Sequence, residues 1–221
     1  MIMEVERLFN GVFRISGKLA TENLAPGIKV YDEELIRDGK KEYRTWNPYR
    51  SKLAAALQKG LKHMEINSGD NVLYLGAATG TTCSHISDII GDNGSLFCIE
   101  ISERSMRDLL KLCEHRGNVL PMLQDARNVS AYGKDVGTVD VIYEDVAAPD
   151  QAEMLLYNSE LLKKGGLAYV AIKSQSIDVS KAPAEVYDAF IKKVSKNFKL
   201  IESINIEPFD RMHLFVVLKK L

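Results

Sequence analysis

An α/β fold built on one mostly parallel sheet is the architecture that this 221-residue sequence predicts. Three observations carry that expectation. From Ser51 onward, strand-like and helix-like segments alternate, which is the pattern of a parallel sheet covered by helices on both faces. A glycine-bearing turn, Gly76 to Thr82, follows the first of those strands and opens a helix. The last two strands are joined only by Glu207-Pro208-Phe209-Asp210-Arg211-Met212. That link is too short for a parallel crossover, so the final pair must run antiparallel.

Residues 1–50 precede the alternation and read as a small antiparallel β domain, with 51–221 as the second domain. Gly11-Val12-Phe13-Arg14-Ile15 and Ile28-Lys29-Val30-Tyr31 are short runs rich in β-branched and aromatic residues. Asp38-Gly39 is a hairpin-turn signal, and Glu42 to Trp46 alternates with period two before Asn47-Pro48. From Ser51 the period changes, and Leu53, Ala54, Leu57, Leu61 and Met64 share one helical face. Asn71 to Leu75 is the first apolar strand, and Thr82 to Ile90 the helix after it. Strand 95–101 follows, then a helix from Glu103 to Arg116 with Ser102 as N-cap and Met106, Leu109, Leu110 and Cys113 at helical spacing. Val119 to Leu123 and Val139 to Tyr143 are strands, the second ending at Glu144-Asp145. Gln151 to Leu162 is a helix closed by Lys163-Lys164 and Gly165-Gly166. A strand from Leu167 to Ile172 ends at Lys173. A helix (184–197) and strands 199–206 and 213–218 complete the chain. Seven strands with an antiparallel C-terminal pair are the pattern of the class I S-adenosylmethionine-dependent methyltransferases.

Composition narrows the function classes. Apolar residues make up 46% and charged residues 27%, as in ordinary globular proteins. No apolar run approaches the ~20 residues of a membrane helix, and Met1 to Arg7 carry no signal-peptide pattern, so no membrane association is expected. Cys83, Cys98 and Cys113 are far apart in apolar stretches. They read as buried reduced thiols and point to a reducing cytoplasm. The four histidines form no zinc pattern, and no metal is expected. The net charge is −1. A protein that held RNA alone would usually be basic. Either the ligand is not a nucleic acid, or other subunits supply most phosphate contacts. Locally, Arg37, Lys40, Lys41, Arg44, Arg50, Lys52, Lys59 and Lys62 form a basic segment interrupted only by Asp38 and Glu42. It is either a solvated face or a site of RNA contact.

The turn after the first strand reads Gly76-Ala77-Ala78-Thr79-Gly80-Thr81-Thr82. In doubly wound sheets this turn lies where ligands bind, and the free N–H groups of the helix start face them. Glu100 ends the second strand, where an acid can accept from both hydroxyls of a ribose. Asp125 ends the third strand and could meet an adenine amino group. The dinucleotide pattern G-x-G-x-x-G is absent, because Ala78 stands where its second glycine would be. Tyr74 stands where a methyltransferase strand commonly has an acid. A tight turn in a nucleotide-free α/β protein is the plainer alternative.

Several segments together resemble one family, fibrillarin. They are Tyr43 to Ala56 (YRTWNPYRSKLAAA), the loop Gly76 to Thr82, Asp125-Ala126-Arg127, and Asp145-Val146-Ala147-Ala148-Pro149-Asp150-Gln151. The departures at Tyr74 and Ala78 match that family's own loop, and the resemblance covers essentially the whole chain. The chain lacks the glycine- and arginine-rich N-terminal extension of eukaryotic fibrillarins, so it resembles an archaeal member. The resemblance implies methyl transfer from S-adenosylmethionine to ribose 2′-hydroxyls of rRNA and tRNA. The enzyme would be the catalytic subunit of a box C/D guide ribonucleoprotein. The implied partners are a Nop-family scaffold, a kink-turn-binding ribosomal-protein-like subunit, the guide RNA and the target RNA. The implied cofactor residues are Tyr74, Gly76, Ala77, Thr81, Thr82, Glu100, Ile101, Asp125, Ala126, Asp145, Val146, Ala147, Ala148 and Gln151. Arg44, Arg50 and Lys52 are the expected RNA contacts.

The family's catalytic Lys-Asp-Lys-His set falls, by motif, on Lys52, Asp145, Lys173 and His213. Topology points the same way. Asp145 and Lys173 end parallel strands, and His213 begins the antiparallel one, so all three belong at the carboxyl edge of the sheet. A ribose hydroxyl is a weak nucleophile and must lose its proton as it attacks. Lys173 is the expected base or activator and Asp145 its orienting group, with Lys52 and His213 steadying the alkoxide. Two other readings share the fold: a methyltransferase acting on a small molecule or protein, and a non-catalytic binding scaffold. The basic segment and the Lys-Asp-Lys-His set discriminate against the first. Labelled S-adenosylmethionine offered with guide and target RNA discriminates against both.

Overall fold

The computed structural model describes residues 4–221. Met1 to Met3, part of the segment in which no signal peptide is expected, lie outside the described residues. Five short strands come first: β1 (Val5–Phe9), β2 (Val12–Ile15), β3 (Lys18–Glu22), β4 (Leu35–Asp38) and β5 (Lys41–Thr45). They form one antiparallel sheet in the order β1-β2-β3-β5-β4. Expected strand 28–31 is instead a loop. Pro26-Gly27 turns the chain, with Gly27 at φ +83°. The backbone N–H groups of Val30 and Tyr31 then donate to the Glu33 carboxylate, at 2.8 and 2.7 Å, so they are not free to enter a ladder.

The second sheet has seven strands: β6 (Asn71–Leu75), β7 (Ser95–Glu100), β8 (Val119–Leu123), β9 (Val139–Glu144), β10 (Leu162–Lys173), β11 (Phe198–Asn205) and β12 (His213–Lys220). Their order is β11-β12-β10-β9-β6-β7-β8. The central pairs are parallel, and β12 runs antiparallel to both β10 and β11. Side chains along each strand alternate between two cores, one per face. Val72, Tyr74, Val141, Tyr143, Tyr169 and Phe215 pack on one side. Leu73, Leu75, Ile142, Val170, Ile172 and Val216 pack on the other. The longer helices are α1 (Lys52–Gln58), α2 (Thr81–Ile90), α3 (Glu103–Cys113), α5 (Gln151–Asn158) and α7 (Pro183–Val194). One-turn helices α4 (Gly133–Val136) and α6 (Ser174–Ile177) were not expected.

Two boundaries differ from expectation for local reasons. The first helix stops at Gln58 rather than running through Met64, because Lys59 caps it and Gly60 turns away at φ +94°. Leu61 and Met64 are still buried, but from a segment that is neither helix nor strand. Lys163 to Gly166 do not close a helix. The helix ends at Asn158, and these residues belong to β10, with Gly165 at φ +75° and a register irregularity against β9.

The two sheets meet across α2. A Cβ on Gly11 would stand 3.0 Å from the Ile89 Cα, so only glycine permits that approach. Arg44, expected on an RNA face, is fully buried here. It donates to Glu33 (2.7 Å), Asp88 (3.1 Å) and Ser84 (3.0 Å). Arg116 completes the network with 2.6 Å to Asp88. His85 lies at its centre, stacked on Trp46 at 4.7 Å between ring centroids. Its Nδ1 is 2.8 Å from the Thr21 hydroxyl and its Nε2 2.7 Å from the Tyr31 hydroxyl.

Burial, reinforced by the Arg44 and Arg116 cations, holds His85 well below the usual imidazole range, so it is neutral when folded. The unfolded chain binds a proton there below about pH 6.5 and the folded chain does not. Stability is therefore lost as pH falls below that value, by about 1.4 kcal/mol per pH unit from this group alone. Chemical denaturation at pH 7.5 and pH 5.5 is expected to show that loss in the wild type and to show it diminished in His85→Gln. Equal losses in both proteins would contradict it.

Candidate functional site

The strand order reverses direction at β6: the chain moves to β7 and β8 on one side and returns to β9 on the other. A crevice opens at such a switch point. Here it is a cleft of about 340 Å³ at the carboxyl edge, walled by the ends of β6, β7, β8 and β9. Gly76 forms its floor at φ +80°. A Cβ there would stand 3.0 Å from the Asp145 carbonyl oxygen, so the glycine lets two strand ends close together. Ala78 takes the left-handed conformation at φ +49°. An alanine held so costs roughly 1 kcal/mol. Its N–H is fixed in return by the Glu100 carboxylate at 2.7 Å. The second Glu100 oxygen accepts from Ser102 N–H, also at 2.7 Å. Glu100 is thereby rigid, 7% exposed, and lines the cleft with lone pairs remaining.

Of the expected cofactor residues, Gly76, Glu100, Ile101, Asp125, Ala126, Asp145, Val146, Ala147 and Ala148 line this cleft. Ala78, Ile99, Ser105, Gln124, Arg127, Met154 and Lys173 line it too. Ile101, 64% exposed, offers an apolar rim. Five expected residues lie elsewhere. Tyr74 is buried in the core and packs on Tyr143 with ring centroids 4.5 Å apart. Its strand position turns it to the sheet face rather than the edge. Ala77 is buried in the same core. Thr82 donates to the Ser51 hydroxyl at 3.0 Å, tying α2 to the start of α1. Thr81 lines a separate depression beside Arg50 and Tyr31. Gln151 is fully buried and acts as a brace. It donates to the Ala171 carbonyl at 2.9 Å and accepts from Lys173 N–H at 3.4 Å.

Lys52, Asp145, Lys173 and His213 arrive at one place by four routes. Ser51 caps α1 by accepting from Ala54 N–H, which sets Lys52 at the helix start. Asp145 follows β9, held where its N–H donates to the Leu75 carbonyl at 3.0 Å. Lys173 ends β10, and His213 begins β12 directly opposite it in the ladder. The Lys173 ammonium donates to the Asp145 carbonyl oxygen (2.7 Å) and sits 2.8 Å from its Oδ1. Lys52 donates to Asp145 Oδ2 at 3.2 Å. Lys52 also lies 3.5 Å from Asp210, whose other oxygen is 3.1 Å from His213 Nδ1. The result is one row in which nitrogen groups alternate with carboxylates: Lys173, Asp145, Lys52, Asp210, His213. Asp210 was missed from sequence, since it sits in a short link with no motif around it.

Burial disfavours the Lys52 charge, but the Asp145 and Asp210 carboxylates outweigh it and raise its pKa. Lys52 therefore stands at the cleft edge as a cation rather than a neutral amine. Deeper in, burial pushes the Glu144 carboxyl well above the usual range. Lys173 offsets this in part, while Asp145 and Asp150 add to it. Its oxygens have no partner among the described residues.

The expected basic segment is mostly neutralised. Arg37 pairs with Glu42, Lys41 with Glu22, and Arg50 with Asp32, besides the buried Arg44. Arg50 remains half exposed and lies over the Tyr31 ring at 5.4 Å. Lys40, Lys59 and Lys62 are exposed. No helix among the described residues is long and apolar enough to cross a membrane.

Comparison with known proteins gives one answer. The family model described as Fibrillarin matches residues 3–220. A protein of Pyrococcus abyssi named fibrillarin-like rRNA/tRNA 2′-O-methyltransferase is 46% identical over 226 residues, covering 100% of both chains. The solved structure of Aeropyrum pernix fibrillarin with natively bound S-adenosyl-L-methionine is 43% identical, with a TM-score of 0.90 over 97% of each chain. A fibrillarin/Nop5p complex matches at 35% identity and a TM-score of 0.88, covering 98% of this chain and 100% of that one. With its seven-stranded sheet, its antiparallel C-terminal pair and a family match over nearly its full length, this chain belongs to the fibrillarin family.

Proposed function

We propose that this protein transfers the methyl group of S-adenosylmethionine to ribose 2′-hydroxyls of rRNA and tRNA within a box C/D guide ribonucleoprotein. The observation that carries the reading is the junction of two features: the Glu100-lined cleft ends at the row formed by Lys173, Asp145, Lys52 and His213. The named activity of the Pyrococcus abyssi relative and the cofactor bound by the Aeropyrum pernix protein support it. Residues of the cleft fit S-adenosylmethionine. Glu100 and Asp125 can accept from ribose and adenine donors, Ile101 can cover an apolar ring face, and Gly76 leaves room for close backbone approach. The bound cofactor supplies an electrophilic methyl carbon on a cationic sulfur.

The chain's own residues do the rest. Lys173 donates one N–H to the Asp145 carbonyl, lies against its carboxylate at 2.8 Å, and keeps N–H capacity to aim at the attacking oxygen. Lys52, fixed between Asp145 and Asp210, adds a second cation where negative charge develops. Asp145 sets the spacing of the two ammonium groups. At 14–19% side-chain exposure, these charges act in a partly dried site, where they count for more than in water.

The near-neutral surface assigns RNA capture largely to partners: a Nop-family scaffold, a kink-turn-binding subunit and the guide RNA. The Nop5p-bound relative supports the first of these. Arg50 and Lys52 are the RNA contacts retained from sequence, and the setting is the archaeal cytoplasm. Glu100→Ala is expected to weaken S-adenosylmethionine binding about 10- to 100-fold, the equivalent of roughly 1.5–3 kcal/mol for hydrogen bonds to a charged group. Calorimetric titration of the isolated chain checks this, and unchanged affinity would sink the cleft assignment. Label from S-adenosylmethionine should enter RNA only when guide, target and partner subunits are all present. Label in the protein fraction or a small molecule instead would favour the rival enzyme class.

A further inference from the structure

Asp210 stands between two members of the row, and beyond its contact with Lys52 it has no part in the function proposed above. Its Oδ1 is 3.1 Å from His213 Nδ1 and its Oδ2 is 3.5 Å from Lys52 Nζ. His213 Nδ1 is also 2.6 Å from the Arg211 carbonyl oxygen. A carbonyl and a carboxylate can only accept, so Nδ1 carries the hydrogen. In the neutral ring the lone pair then belongs to Nε2, which has no protein partner among the described residues. The ring is anchored at one nitrogen and open at the other.

The segment that carries Asp210 is pinned at both ends. Phe209 packs edge-on against Tyr49 at 5.0 Å. The Met212 carbonyl accepts from Ser174 N–H (3.3 Å) and from its hydroxyl (2.9 Å). The imidazole also lies across the ladder from Lys173, in the same row as Lys52 and Asp145. Both lysines are committed to Asp145, Lys173 donating to its carbonyl oxygen and Lys52 to its carboxylate. Among the nitrogen groups of the row, the His213 ring is therefore the one with a lone pair to offer.

We infer that Asp210 is a positioning residue for methyl transfer, holding His213 so that Nε2 accepts the proton of the ribose hydroxyl. This rests on the 2′-O-transfer reading. In the step, the oxygen forms its bond to the methyl carbon while the carbon–sulfur pair stays with sulfur, leaving a neutral thioether. The O–H bond breaks, its electrons remain on oxygen, and the proton passes to Nε2. The ring becomes a cation, and the Asp210 anion stands 3.1 Å from its Nδ1. His213 is 18% exposed in its side chain, so the proton can then leave to solvent. The arrangement follows the logic by which a buried acid orients and stabilises a catalytic imidazole.

The test is a double-mutant cycle on single-turnover methylation in the complete guide assembly. His213→Gln is expected to slow transfer about 100-fold or more, the usual worth of a proton acceptor. Asp210→Asn is expected to slow it about 10- to 100-fold, with S-adenosylmethionine affinity and target retention unchanged. The double variant should be no slower than His213→Gln alone, within about threefold, because both act on one proton. Asp210→Glu should recover part of the rate. Multiplying effects in the double variant, or a wild-type rate in Asp210→Asn, would overturn the assignment. Loss of S-adenosylmethionine binding in Asp210→Asn would likewise overturn it. A wild-type assembly that labels no RNA would instead strike at the 2′-O-transfer reading itself.

Discussion

Lys173→Ala is expected to lower methyl transfer about 100- to 1,000-fold while leaving S-adenosylmethionine affinity within about threefold. The magnitude is that of removing one preorganised donor from the position where negative charge develops, roughly 2.7–4 kcal/mol. Lys173 has this weight because it ends a central strand and its ammonium is held by the carbonyl and carboxylate of the same residue. Truncation also leaves the Asp145 carboxylate facing Lys52 alone. Lys173→Arg should restore little, since a planar fork does not occupy the place of a compact ammonium. Single-turnover kinetics in the assembled particle, with cofactor binding measured alongside, separates loss of chemistry from loss of site. A near-normal rate in Lys173→Ala would remove it from the mechanism.

Arg44→Ala is expected to destabilise the fold by about 3–5 kcal/mol, because it strands the buried Glu33 carboxylate and leaves Asp88 to Arg116 as its one cation. For a chain of this length that lowers the thermal midpoint by about 6–20 °C. Below that midpoint the folded variant should bind target RNA as the wild type does when assembled. Arg44→Met should cost stability less than Ala does, since it refills the volume, but Glu33 remains without its cation. Unchanged melting together with weakened RNA retention would return Arg44 to the RNA face that its position in a basic run suggests.

Arg44 also illustrates what the sequence could and could not convey. Charge spacing is visible in a sequence, but the acids that meet each charge are not. Glu33 and Asp88 come from a loop and from α2, 11 and 44 residues away. Periodicity conveyed the strand–helix alternation and the antiparallel final pair, because alternating apolar residues on two faces and a six-residue link allow few other arrangements. It overran the first helix, since Leu61 and Met64 need burial and not helicity. Tyr74 shows the same limit at the site. Its place beside the glycine turn suggested a ligand contact, yet the period-two alternation of β6 points it into the core against Tyr143. The carboxyl-edge positions of Asp145, Lys173 and His213 followed from topology alone. Asp210 carried no such mark, since its place in the row depends on how the 207–212 link folds back over α1.

The central claim is that the cleft and the charged row together methylate a ribose hydroxyl chosen by a guide. The direct measurement is nucleoside analysis by mass spectrometry of target RNA after incubation with the complete assembly and isotopically labelled S-adenosylmethionine. The account predicts one labelled 2′-O-methylribose, at the nucleotide specified by the guide, that moves when the guide is changed. Label on a base, label at a position indifferent to the guide, or no label in RNA from an assembled particle would contradict it.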